Sequence, residues 1–197
     1  MQVVYVIVAV IATAWYTVRL IRTQERVRHV TKARDGERDV SGFLDEQRRH
    51  GARILRLIPE GRDRVDHVVV CSRGIFVIQT RTSRQPHKHM EMHFDGAQIN
   101  IAKRLPDAAP IVQCETEVEL IKALLRDAVS KPFKVRAIVV FLDSHVTRTS
   151  SALGSEIWVL NPNELERWIG REPTIMSNAD IAMATSHLTQ YMNRLAA

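Results

Sequence analysis

Two cysteines in 197 residues are too few for a disulfide framework, and Cys71 and Cys114 are not spaced as a metal-binding pair. They read as plain buried thiols of the kind that persist in a reducing compartment. No P-loop, Gly-x-Ser-x-Gly elbow or dinucleotide-binding glycine fingerprint occurs, so ATPase, hydrolase and dehydrogenase chemistry have no support. Internal repeats and low-complexity tracts are also missing. The excess of basic over acidic residues, 28 against 22, is small. It permits nucleic acid or anionic lipid as a partner and equally describes an ordinary soluble surface. His87, His89 and His93 have neither cysteine partners nor a helical His-x-x-x-His face, so they read as exposed loop and strand residues rather than a zinc site.

What is present is organised around Val65 to Thr82, two Val- and Ile-rich runs joined by Cys71-Ser72-Arg73-Gly74. This predicts an antiparallel hairpin, largely buried, in which Gly74 supplies the permissive backbone angle. The polar residues inside such strands carry the information. Asp66 opens the first strand, and Gln79 and Arg81 close the second on one face, because side chains alternate along a strand. An acid, an amide and a guanidinium are therefore expected at the open end of the hairpin.

Upstream, residues 35 to 51 predict an amphipathic helix with Val40, Phe43, Leu44 and Gln47 inward and Gly51 as its stop. Glu37 falls on the same face by spacing, either as a buried functional carboxylate or as a first-turn acid favoured by the helix dipole. Arg53 to Ile58 predicts a strand, ended by Pro59-Glu60-Gly61. Beyond a polar loop from Ser83, Met90 to Phe94 and Gln98 to Ile101 flank Asp95-Gly96 as a second hairpin. Pro110 opens a helix whose inward stripe is Cys114, Val118, Ile121 and Leu125, with Gln113 beside it. Val135 to Leu142 is too continuously apolar for a one-sided sheet and reads as a central buried strand, and Glu156 to Leu160 reads as another strand. Asn161-Pro162 starts a short helix, and Ser177 caps a last amphipathic one.

Val3 to Ile21 form an apolar run, broken only by Thr and by Arg19 near its end. As a helix the run from Val3 to Ile21 is roughly 28 Å long at about 1.5 Å per residue, enough to cross a hydrocarbon core while Arg19 snorkels. No positive charge precedes it and several follow, which favours an uncleaved anchor over a signal peptide. The basic stretch predicts a single inner-membrane span with the rest of the chain in the cytoplasm. The same stretch suits contact with anionic headgroups. The expected organisation is an anchor at 1–22, a basic juxtamembrane linker at 23–34, a domain at 35–170 and a C-terminal amphipathic helix at 171–197.

Asp66-His67, followed by Gly74-Ile75-Phe76-Val77-Ile78-Gln79-Thr80-Arg81, resembles the nuclease-related domain (NERD) family of the PD-(D/E)XK nuclease superfamily. In that pattern the second strand ends Glu-Thr-Lys, so Gln79 stands where Glu is expected and Arg81 where Lys is expected. The resemblance spans roughly residues 35 to 170. It implies an α/β fold in which a mixed sheet is flanked by helices, the restriction-endonuclease-like core. It also implies a site made from Glu37, Asp66, Gln79, Arg81 and Gln113. Asp66 and Glu37 are then the remaining metal ligands, for Mg²⁺ if the site is active, and Arg81 is the phosphate contact. A neutral amide weakens a divalent-cation site, and an arginine is effectively never deprotonated and cannot take a proton from water. The expected function is a membrane-anchored, catalytically degenerate nuclease domain that binds nucleic acid or assembles in a DNA-handling membrane complex. An active nuclease with an altered motif and a purely structural subunit stay open as alternatives. A small-molecule substrate is not expected.

Overall fold

The computed structural model describes residues 2–57, 66–82, 91–101, 106–126, 132–149, 152 and 155–195. Within these, the side chains of residues 2–12, 22, 25–29, 57, 66 and 195 are outside the description.

Helix α1 (Gln2–Arg49) is continuous, so the stretch 23–34, expected as a linker, is helical. Among its described side chains the buried face begins at Gly36 and continues through Val40, Phe43 and Leu44, while Trp15, Tyr16, Val18, Leu20 and Ile21 are exposed. Gly51, at φ 86°, ends the helix as its spacing predicts. Among the described residues no helix is long and apolar enough to cross a membrane. The expected span from Val3 to Ile21 falls in large part on side chains outside the description.

Strands β1 (Arg53–Leu57), β2 (Asp66–Cys71) and β3 (Gly74–Arg81) run antiparallel in sequence, with Gly74 at φ 136° in the tight turn. Helix α2 (Ala109–Arg126) then crosses to β6 (Val135–Phe141), which pairs parallel with β3 and with β8 (Ile157–Leu160). The result is a five-stranded mixed sheet in the order β1-β2-β3-β6-β8. Burial on both faces explains the nearly continuous apolar reading of β6, which only Arg136 interrupts.

A second sheet departs from the expected single one. Strands β4 (Glu91–Phe94) and β5 (Ile99–Ile101) form the anticipated hairpin, and β7 (His145–Arg148) adds parallel to β4. Sequence reading missed β7 because it is four residues long and only Val146 is buried.

Alternation along the strands divides the core. Val68, Val70, Ile75 and Val77 face α2 and α4 (Asn178–Leu195), packing on Ile111, Cys114, Val118, Ile121, Ala184 and Leu188. Val69, Cys71, Phe76 and Ile78 face α1 and α3 (Leu165–Gly170). Both cysteines are buried and outside any disulfide, and burial raises the pKa of the Cys71 thiol.

Two half-buried carboxylates pin the C-terminal third. Glu164 closes the capping box of a 3-10 turn (Pro162–Glu164) with Asn161 and accepts from both terminal nitrogens of Arg148. Burial alone would raise its pKa. The hydrogen bonds from Arg148 and Asn161 outweigh that and lower it to about 2. Glu172 pairs with Lys134 at 2.5 Å and Arg136 at 3.5 Å, while its carbonyl accepts from Arg73.

Candidate functional site

Gln79 and Arg81 emerge on the α2 side of the sheet, in step with Ile75 and Val77. Gln79 is 1% exposed, a fully buried amide at the end of an apolar strand. It is one of few buried polar residues, and its hydrogen bonds explain how it is tolerated. Arg81 Nη2 donates to Gln79 Oε1 at 2.9 Å and to Gln113 Oε1 at 2.8 Å. Gln79 Nε2 donates to Glu117 Oε2 at 2.7 Å, and Gln113 Nε2 donates to Glu117 Oε1 at 2.9 Å. The four side chains close a ring. Two come from β3 two residues apart, and two from α2 four residues apart on one helix face.

The chemistry of the two ends forces the ring's polarity. A guanidinium only donates and a carboxylate only accepts, so each amide between them must turn its oxygen to Arg81 and its NH₂ to Glu117. The ring carries one positive and one negative charge, held apart by two neutral amides. Glu117 was not anticipated. Its only sequence signal is its place four residues after Gln113 and one before the buried Val118.

Of the other expected residues, Asp66 begins β2, opposite Leu57 of β1. His67 pairs with Ile78, so the register sets position 66 level with Gln79, on the parity of Val68 and Val70. Its side chain lies outside the described residues. Glu37, expected on the buried face, is exposed, and no contact joins it to the ring among the described residues. The stripe passes through Gly36 instead. A Cβ at Gly36 would lie 2.6 Å from the Leu142 carbonyl oxygen, so the helix approaches the end of β6 there with no room for a side chain. Because Leu142 N donates to Arg81 O at 2.9 Å, α1 reaches the same sheet edge as the ring but on the opposite face. On that face a cleft of about 570 Å³ opens between Lys32, Asp35 and Asp39 of α1 and Asp143, His145 and Arg167. None of the ring residues lines it.

Among the described residues, the ring's donor set does not suit a divalent ion. Mg²⁺ requires anionic or unengaged oxygens, and the Gln79 oxygen is already held by a guanidinium. Among the described residues no group of three or more His, Cys, Asp or Glu is placed to hold a metal. His93 is exposed, with Nδ1 3.1 Å from Thr147 Oγ1, and His87 and His89 lie outside the described residues.

A mixed sheet sandwiched between helices, with polar side chains gathered at the end of its central hairpin, defines a mixed α/β protein. Residues 32–142 match the nuclease-related domain family, more than half of the chain, and the chain belongs to that family. The match begins within α1 and ends just after β6, so the ring lies inside it while β7, β8, α3 and α4 lie beyond. Comparison with curated proteins and with solved structures gave no match.

Proposed function

We propose that this chain is a membrane-anchored nuclease-related domain that binds nucleic-acid backbone at the former cleavage site without cutting it. The observation that carries this reading is the closed ring of Arg81, Gln79, Glu117 and Gln113. An amide and a guanidinium occupy the two positions where the family pattern has a metal-binding carboxylate and a lysine. The guanidinium keeps phosphate recognition, which it performs well as a planar, always-charged donor, and it forfeits proton transfer from water. The anchor rests on the apolar run to Ile21 and the basic residues after it, with residues 35 to 197 on the cytoplasmic side of the inner membrane. Trp15 and Tyr16, with the Arg19 guanidinium 5.2 Å from the Trp15 ring, suit the boundary between lipid and water. Protein partners in a DNA-handling membrane complex follow from that placement.

The full chain, purified in lipid nanodiscs, is to be incubated with single- and double-stranded DNA and RNA in Mg²⁺ or Mn²⁺. Binding that weakens steeply with salt, with every substrate intact, is expected. Cleavage that disappears in Asp66→Ala overturns the non-cutting part. Efficient labelling of an added C-terminal cysteine from outside intact cells overturns the membrane orientation.

A further inference from the structure

We propose that the Arg81 guanidinium is the site's built-in cation, standing in for the divalent metal of a cutting nuclease, so that phosphate recognition here is metal-independent. Glu117 is the positioning residue that keeps it so. The proposal rests on the reading of the ring as a phosphate-binding site and concerns how that site obtains its positive charge.

The argument begins with the amide oxygens. Together with the Glu117 carboxylate they are the ring's only oxygen ligands, and Arg81 Nη2 sits between the two of them at 2.9 and 2.8 Å. A metal ion reaching either oxygen would meet a fixed positive charge within hydrogen-bond distance, and removing that charge by deprotonation is not open to arginine. Turning an amide to free its oxygen is blocked from the other end. Both NH₂ groups are held by the two oxygens of Glu117, at 2.7 and 2.9 Å, and a flipped amide would set oxygen against carboxylate. Burial makes such a mismatch costly, because Gln79 has almost no access to water. Glu117 therefore fixes both amides, and the amides fix the cation.

Two measurements on the full chain in nanodiscs test this separately from nucleic-acid binding. In the first, Mn²⁺ is titrated and followed by its electron paramagnetic resonance signal, without nucleic acid. The native chain is expected to bind no Mn²⁺ at this site. Arg81→Met, which keeps the length of the stem and removes the charge, is expected to gain at least tenfold in Mn²⁺ affinity, and Arg81→Lys, which keeps a cation, to gain much less. Native Mn²⁺ affinity equal to that of Arg81→Met overturns the proposal, as does an equal gain in Arg81→Lys. Should Arg81→Met not fold, Mn²⁺ binding by the native chain that is lost in Glu117→Gln overturns it, and no such binding supports it.

In the second, a labelled oligonucleotide is titrated in EDTA and in Mg²⁺ at matched ionic strength. Affinities within twofold of each other, both at least tenfold weaker in Arg81→Met, are expected. Binding that requires Mg²⁺ overturns the proposal. Binding in neither medium removes the reading of the site as a nucleic-acid contact, and the Mn²⁺ titration still decides where the cation comes from. Glu117→Gln lets one amide turn while Arg81 keeps its charge, so it is expected to weaken oligonucleotide binding equally in EDTA and in Mg²⁺ and to leave Mn²⁺ unbound, whereas Glu117→Asp, which keeps a carboxylate facing both amides, is expected to retain most of the binding. A gain of Mn²⁺ affinity in Glu117→Gln overturns the assignment of Arg81 as the charge that excludes the metal.

Discussion

Restoring the family's residues at positions 79 and 81 should return a metal site, and the ring's geometry says how much each change contributes. In Gln79→Glu the new carboxylate oxygen lies about where Nε2 now meets Glu117 Oε2, at 2.7 Å, and the other stays about 2.9 Å from Arg81 Nη2. At an effective dielectric of about 20, each contact is worth about 6 kcal/mol, one repulsive and one attractive, so they nearly cancel. What remains is the donor lost to Glu117, a cost of about 1–3 kcal/mol. The single variant should thus fold with modest destabilisation and gain little metal affinity, because Arg81 neutralises the added charge. Arg81→Lys alone leaves the amide in place and should gain little as well. In the double variant a compact ammonium no longer bridges positions 79 and 113, and its pKa can fall on burial. Two carboxylates then face each other and a divalent ion becomes the natural counter-charge. Calorimetric titration with Mn²⁺ should show at least a tenfold gain over either single change, about 1.4 kcal/mol of coupling. Asp66→Ala or Glu117→Gln in that background should remove it. A folded double variant that binds Mn²⁺ no better than the native chain would refute the convergence of position 79 with the acids around it.

Other perturbations probe the scaffold. Glu164→Gln breaks a bidentate pair in which both side chains are 13% exposed, and should cost about 3 kcal/mol in urea denaturation. Because the folded pKa of Glu164 is depressed to about 2 from 4.5, its stabilisation is full above about pH 4.5 and is lost as pH falls toward 2. The variant should therefore show a flatter loss of stability over that window than the native chain. Gly36→Ala gains helix propensity but drives a Cβ to 2.6 Å from a backbone oxygen, so a net loss of about 1–3 kcal/mol is expected. Glu172→Ala leaves Lys134 and Arg136 without their carboxylate beside Arg73 and should cost about 1–3 kcal/mol, recovered in part at high salt.

The hairpin was legible because Gly74, the Val and Ile runs and the three polar interruptions each say the same thing at the level of local chemistry. The convergence of Gln79, Arg81 and Gln113 was legible through the family resemblance, and the structure supplies the hydrogen bonds that join them. Glu117 was not, since a glutamate on a helix flank resembles any solvated acid until the strand opposite is known. Glu37 was misread for a related reason. An apolar stripe is recognised by its side chains, and at its first position this one has a glycine, so the neighbouring residue was taken for the inward one. Strand β7 depends on a partner fifty-four residues away in the chain and has almost no periodic signal of its own.

Helix α1 carries a mechanical consequence. One uninterrupted helix runs from Gln2 into the domain, and Gly36, the first buried residue among those described, lies fifteen positions after Ile21. At about 1.5 Å and 100° per residue, that spacer sets a reach of about 22 Å and one azimuth for the domain relative to whatever holds the N-terminal end. Inserting a single residue between them would swing the ring's outlook by about 100°, whereas seven would return it nearly to its starting bearing about 10 Å further out. The side of the domain that a neighbouring molecule meets is thus decided by the count of residues between Ile21 and Gly36.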